Sequence, residues 1–124
     1  MKNKYKSNIE VIAVIPARSG SKGLVHKNIR TFNSKPLMVW SIEQALESES
    51  IDRVIVSTDD AKYAEIAKNA GAEVPYLRPK SLAADETPDI SVFEHLLKWL
   101  ENQEGKLPEI VVHLRPTYPN RSKE

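Results

Sequence analysis

The sequence predicts an α/β fold with a mostly parallel sheet, and three features of the chain carry that expectation. Ile9 to Ile15 is almost continuously β-branched and apolar, the composition of a strand buried on both faces. Arg53 to Ser57 (Arg-Val-Ile-Val-Ser) and Glu109 to Leu114 repeat the pattern. Between these runs the apolar residues fall at helical spacing, and strands alternating with helices build βαβ units around a parallel sheet.

Each element has its own signal. The first strand stops at Pro16, and a polar stretch rich in Ser, Gly, Lys and Asn runs as loop to about Asn33. Pro36 suits the first turn of a helix, where a missing N–H costs nothing; that helix carries Leu37, Trp40, Ile42 and Ala45. After the second strand, Thr58, Asp59 and Asp60 are helix-start residues. Tyr63, Ile66, Ala67 and Ala70 follow at helical spacing, with Gly71 as the stop. Ala72 to Leu77 reads as a short third strand, and Arg78 to Pro88 as loop. Ile90, Phe93, Leu97 and Leu100 mark an amphipathic helix with Lys98 and Trp99 at its rim. Arg115 to Glu124 reads as loop. Residues 1–8 are a polar extension, and 9–124 are expected to be the N-terminal part of a larger, incomplete domain, because no closing helix or strand follows the last strand.

Composition narrows the function. A chain of 124 residues can bury one modest core. Its 18 basic and 17 acidic residues leave a net charge of +1, so no global field favours nucleic acid or an anionic membrane, and neither is expected as a partner. Anion binding must come from a local cluster. The absence of cysteine excludes disulfides, thiolate metal sites and a cysteine nucleophile. His26, His95 and His113 have no metal-ligand spacing. No run approaches membrane-spanning length, and the expected location is the cytoplasm.

In parallel sheets, ligands bind outside the carboxyl ends of the strands. At that edge this chain places Arg18 onward, Thr58-Asp59-Asp60 and Arg115-Pro116-Thr117. The first is the richest. Ala17 to Asn28 gathers Arg18, Lys22 and Lys27 around Gly20 and Gly23, directly after a buried strand. Glycines let backbone N–H groups turn toward an anion, and the cations neutralise a polyphosphate. The spacing is neither that of a Walker A loop nor that of the dinucleotide GxGxxG fingerprint. The competing reading is a solvated basic surface loop.

These residues carry a resemblance. Ile15-Pro16-Ala17-Arg18-Ser19-Gly20-Ser21-Lys22-Gly23, then Lys27-Asn28, resembles the opening motif of the acylneuraminate cytidylyltransferases (CMP-sialic acid synthetases). Val54 to Asp59 is similar to that family's second strand and its end. Leu77-Arg78-Pro79 and Leu82-Ala83-Ala84-Asp85 resemble its sugar-side loop, and Leu114-Arg115-Pro116-Thr117 with Pro119 and Arg121 a later motif. The four motifs come in the family's order and cover Ile9 to Arg121.

The resemblance implies a Rossmann-like, three-layer fold of the nucleotide-diphospho-sugar transferase type, truncated here. It also implies transfer of CMP from CTP to a sialic-acid-like nonulosonic acid, with Mg²⁺ and release of pyrophosphate. Pseudaminic, legionaminic or deoxyoctulosonic acid is an alternative sugar, and a non-catalytic nucleotide-binding fragment is a further reading. By resemblance, Arg18, Lys22 and Lys27 hold the CTP phosphates, with Arg18 and Lys27 at the reacting centre. Ala17 and Ser21 lie in the loop whose backbone wraps the nucleotide, and Asn28 helps to position it. Arg78 matches an arginine near the nucleotide; its alternative role is to brace the loop beside Pro79. Thr117 and Arg121 fall where sugar binding begins, and a cation there can meet the sugar carboxylate. Asp59 and Asp60 could serve a metal, but helix capping is the favoured reading. The metal ligands, the rest of the sugar pocket and a homodimerisation lobe are expected outside this chain. The chain alone is accordingly expected to bind CTP weakly or not at all. Arg115, Tyr118-Pro119-Asn120 and Asp85-Glu86-Thr87 depart from the family pattern and bear on the sugar rather than the nucleotide.

Overall fold

The apolar run after Ile9 becomes strand β1, Val11–Pro16, in a computed structural model that describes residues 9–17, 31–32, 35–79 and 89–114. Strand β2 (Thr31–Phe32) and strand β3 (Lys35–Pro36) form a small antiparallel pair. Strand β2 falls inside the stretch expected to be loop, and β3 follows just after it. Helix α1 follows at Leu37–Glu47, strand β4 at Arg53–Ser57, helix α2 at Ala61–Asn69, helix α3 at Asp89–Glu104 and strand β5 at Ile110–His113. The main sheet runs β4-β1-β5. Both pairings are parallel, with Pro16 opposite Ser57 and Val14 opposite His113.

Successive strand side chains point to opposite faces, and β1 uses both. Ala13 and Ile15, with Val54 and Val56, pack against Met38, Ile42 and Ala45 of α1 and Tyr63 and Ala67 of α2. Ile12, Val14 and Ile55 pack against Leu96 and Leu100 of α3. The result is a helix–sheet–helix sandwich of three layers. Burying a residue such as Ile42 contributes about 1.5–3 kcal/mol.

Three expectations need correction. Pro36 is the residue before α1, with ψ at 145°, rather than inside its first turn; it ends β3, opposite Thr31 of β2. Ile90 is 62% exposed, and α3 buries Val92, Leu96 and Leu100 instead, with Phe93, Leu97 and Trp99 at the flanks. Ala72 to Leu77 is not a strand. It makes only two parallel bridges to the β4 segment, Glu73 with Ile55 and Leu77 with Thr58. Pro75 lies between them and offers no N–H to a ladder. The segment also takes four steps between bridges where its partner takes three (77 − 73 against 58 − 55). That is a bulge, and bulges re-aim the side chains that follow.

The helix ends obey local rules. Asp60 caps α2, its Oδ1 accepting the N–H groups of Lys62 at 2.8 Å and Tyr63 at 3.1 Å. At the other end Gly71 has φ +107°, its N–H reaches the Lys68 carbonyl, and the Ala72 N–H reaches that of Ala67. This is the paired bonding of a Schellman stop. An added Cβ at Gly71 would lie 2.9 Å from Leu46 Cδ1.

Candidate functional site

The carboxyl edge of the sheet is built around the end of β4. Ser57 and Thr58 follow three apolar residues into full burial, at 2% and 0% exposure. A buried hydroxyl or carbonyl needs a partner, and both residues have one. The Ser57 carbonyl accepts the Ala17 N–H at 2.9 Å, so the chain leaves β1 fastened to its neighbour. The Thr58 carbonyl accepts the Arg78 N–H at 2.7 Å, and Thr58 Oγ1 accepts the Asp60 N–H at 3.3 Å.

Arg78 enters this edge from the bulged segment and is buried. Its Nε donates to Ser57 Oγ at 3.2 Å, and its Nη2 donates to the Ser57 carbonyl at 2.6 Å. Arg78 thereby ties its own segment to the end of β4. Burial pushes the neighbouring Tyr76 phenol up to about 12, with Arg78 opposing the shift. Burial, then Asp60 and Asp59, push Tyr63 up to about 12 as well.

Of the expected site residues, the structure describes Ala17 and Arg78, and Ser57 joins them. Arg18, Ser21, Lys22, Lys27, Asn28, Thr117 and Arg121 lie outside the described residues. Ser57 is the residue that sequence reasoning missed. The available signal was a serine closing a Val-Ile-Val strand, a polar group in a position that packing alone would fill with an aliphatic.

Asp60 Oδ1 is already engaged by two backbone donors of α2. Among the described residues no group of three or more His, Asp or Glu side chains could hold a metal ion. A groove of about 450 Å³ runs between α2, at Ala61, Glu65 and Lys68, and the Val74–Leu77 segment. Neither Ala17 nor Arg78 lines it.

A parallel sheet covered by helices on both faces defines a Rossmann-like α/β architecture, the class in which ligands bind outside the carboxyl ends of the strands. Comparison with known proteins makes this specific. The family model for cytidylyltransferases matches residues 12–116, and the chain belongs to that family. It is 42% identical over 112 residues to the N-acylneuraminate cytidylyltransferase of Escherichia coli O18:K1:H7 (strain RS218 / NMEC), covering 90% of this chain and 25% of that protein. It is 40% identical to the CMP-N,N'-diacetyllegionaminic acid synthase of Legionella pneumophila subsp. pneumophila (strain Philadelphia 1), covering 94% and 50%. It is 37% identical to the pseudaminic acid cytidylyltransferase of Campylobacter jejuni subsp. jejuni serotype O:2, covering 91% and 48%. The chain thus spans half or less of these relatives. Among solved structures, CMP:2-keto-3-deoxy-manno-octonic acid synthetase complexed with CTP superposes with a TM-score of 0.66 at 24% identity, covering 89% of this chain and 41% of that one. That likeness establishes the fold.

Proposed function

We propose that this chain is the CTP-binding portion of a nucleotidyltransferase that moves CMP from CTP to a sialic-acid-like nonulosonic acid. The observation that carries the reading is the fastening of Ala17 to Ser57 at the carboxyl edge. It roots the Gly- and Lys-rich stretch at the place where a parallel sheet binds ligands. In the reaction, the sugar's anomeric hydroxyl oxygen bonds to the α-phosphorus and gives up its proton as pyrophosphate leaves. Phosphoryl transfer of this kind depends on positioning and charge stabilisation more than on covalent help from the protein. Arg18, Lys22 and Lys27 serve the phosphates, Ala17 and Ser21 the loop around the nucleotide, Asn28 and Arg78 its placement, and Thr117 and Arg121 the sugar. In this reading Mg²⁺ takes its ligands largely from outside this chain.

Relatives named for acylneuraminate, legionaminate and pseudaminate are 42%, 40% and 37% identical, so the proposal stops at the class of nine-carbon acidic sugars. Cytoplasmic location and a homodimer in the full-length protein belong to the same proposal. No described helix is long and apolar enough to cross a membrane.

Calorimetric titration of the folded chain with CTP and Mg²⁺ tests it. Weak, saturable binding is expected, reduced about tenfold or more by Lys27→Ala, the loss of one charge-assisted contact. A folded chain that takes up no CTP, or one indifferent to Lys27→Ala, overturns the reading.

A further inference from the structure

We infer that Ser57 is a positioning residue of the nucleotide site, acting through Arg78; this rests on the CTP-binding reading above. Ser57 closes β4, and every polar acceptor it has at the sheet edge is used. Its carbonyl receives both the Ala17 N–H at 2.9 Å and Arg78 Nη2 at 2.6 Å. Its Oγ receives Arg78 Nε at 3.2 Å. One residue therefore joins the root of the Arg18–Asn28 stretch to a guanidinium that comes from 21 positions further along the chain.

The geometry does more than hold two segments together. A guanidinium is planar, and its donors form a rigid fork. Fixing Nε and Nη2 on one residue sets the plane of the whole group, and Arg78 is 6% exposed, so the plane cannot drift into solvent. The Arg78 N–H on the Thr58 carbonyl pins its backbone to the same strand end. The bulge around Pro75 delivers Arg78 to this register. Serine is the residue type this needs. A valine at position 57 would continue the apolar run but would leave Nε buried without its acceptor, a costly state for a charged donor.

The test is CTP affinity by calorimetry, with melting temperature measured alongside, for the wild-type chain, Lys27→Ala, Ser57→Ala, Arg78→Lys and the double variant Ser57→Ala/Arg78→Lys. Arg78→Lys keeps the charge but cannot span Oγ and the carbonyl with a planar fork, so it probes the geometry even if Ser57→Ala folds poorly. The expected result is an affinity about tenfold weaker for Ser57→Ala and for Arg78→Lys, with a double variant no weaker than Arg78→Lys alone. Such non-additivity is the mark of two residues acting as one unit; a purely structural role would lower the melting temperature and leave affinity unchanged. If Lys27→Ala loses CTP while Ser57→Ala and Arg78→Lys bind like wild type, or if their losses add, the inference is overturned and the CTP reading stands. A folded wild-type chain that binds no CTP overturns both.

Discussion

Two arginines hold the two ends of the same sheet, and they do it by opposite means. At the N-terminal edge, Arg53 opens β4 with its side chain 21% exposed and faces Glu73, Glu104 and Glu10. It bonds Glu73 through Nε at 2.9 Å and Nη2 at 2.7 Å, and Glu104 through Nη1 at 2.8 Å and Nη2 at 2.9 Å. The hydrogen bonds that Arg53 donates to Glu73, then to Glu104, raise its already high pKa further. At the carboxyl edge Arg78 is buried, and its bonds to Ser57 go to neutral oxygens. The base is clamped by charge in reach of water; the bonds that Arg78 makes to Ser57 at the carboxyl edge are buried away from it.

The largest expected effect breaks this contrast directly. Arg78→Ala leaves Ser57 Oγ without its buried donor and should cost about 2 kcal/mol of stability, with less dependence on salt than the exposed pairs at the base because the bonds are buried. Arg53→Ala should cost about 1 kcal/mol at low ionic strength, where exposed pairs count most, and less as salt screens them. Urea unfolding of both variants across a salt series checks the pair. Equal salt sensitivity would erase the distinction between the two edges.

Much of this architecture could be read from the chain, and the failures have physical causes. Strand β4 has the expected bounds, Arg53–Ser57, because a β-branched run closed by polar residues has few other solutions. The Gly71 stop and the Asp60 cap were legible because each depends only on its neighbours in sequence. The β2–β3 pair was not, since two-residue strands show no periodicity. On α3, Ile90, Phe93, Leu97 and Leu100 form one stripe and Val92, Leu96 and Leu100 another; both suit a helix, and contact with the sheet chooses between them. Ala72 to Leu77 looked like a strand because its apolar content outweighed Pro75. The site divides in the same way. The chemistry proposed for the Arg18–Asn28 stretch rests on its composition, whereas the Ser57–Arg78 pairing depends on a bulge and a parallel register that no local pattern contains.

A smaller effect concerns the two aspartates beside the site. Asp60→Ala removes the cap of α2 and should cost about 1 kcal/mol. Asp60→Asn, which also caps well, should restore most of it. If the carboxylate served a metal instead, Asn would fail where Ala fails. Thermal unfolding of the two variants in EDTA and in Mg²⁺ separates the roles: capping predicts that Asn exceeds Ala equally in both.

The smallest expected effect is the response of the base to acid. The hydrogen bond from Arg53 holds the Glu104 carboxyl below its usual range. A carboxyl with a lowered folded-state pKa binds its proton more weakly when folded than when unfolded. Its contribution is therefore complete above the ordinary glutamate range and fades as pH falls through the folded value. Glu104 is partly exposed, so screening keeps the effect modest. Glu104→Gln should lower stability slightly at neutral pH and flatten the loss on acidification below about pH 4.5, near the unperturbed glutamate value. The Arg78–Ser57 bonds contain no group that titrates there, so Ser57→Ala should leave the acid limb unchanged. Stability measured by urea at stepped pH distinguishes the two edges once more: an acid limb altered by Ser57→Ala, or untouched by Glu104→Gln, would mean that charge at the base is not what sets its response to protons.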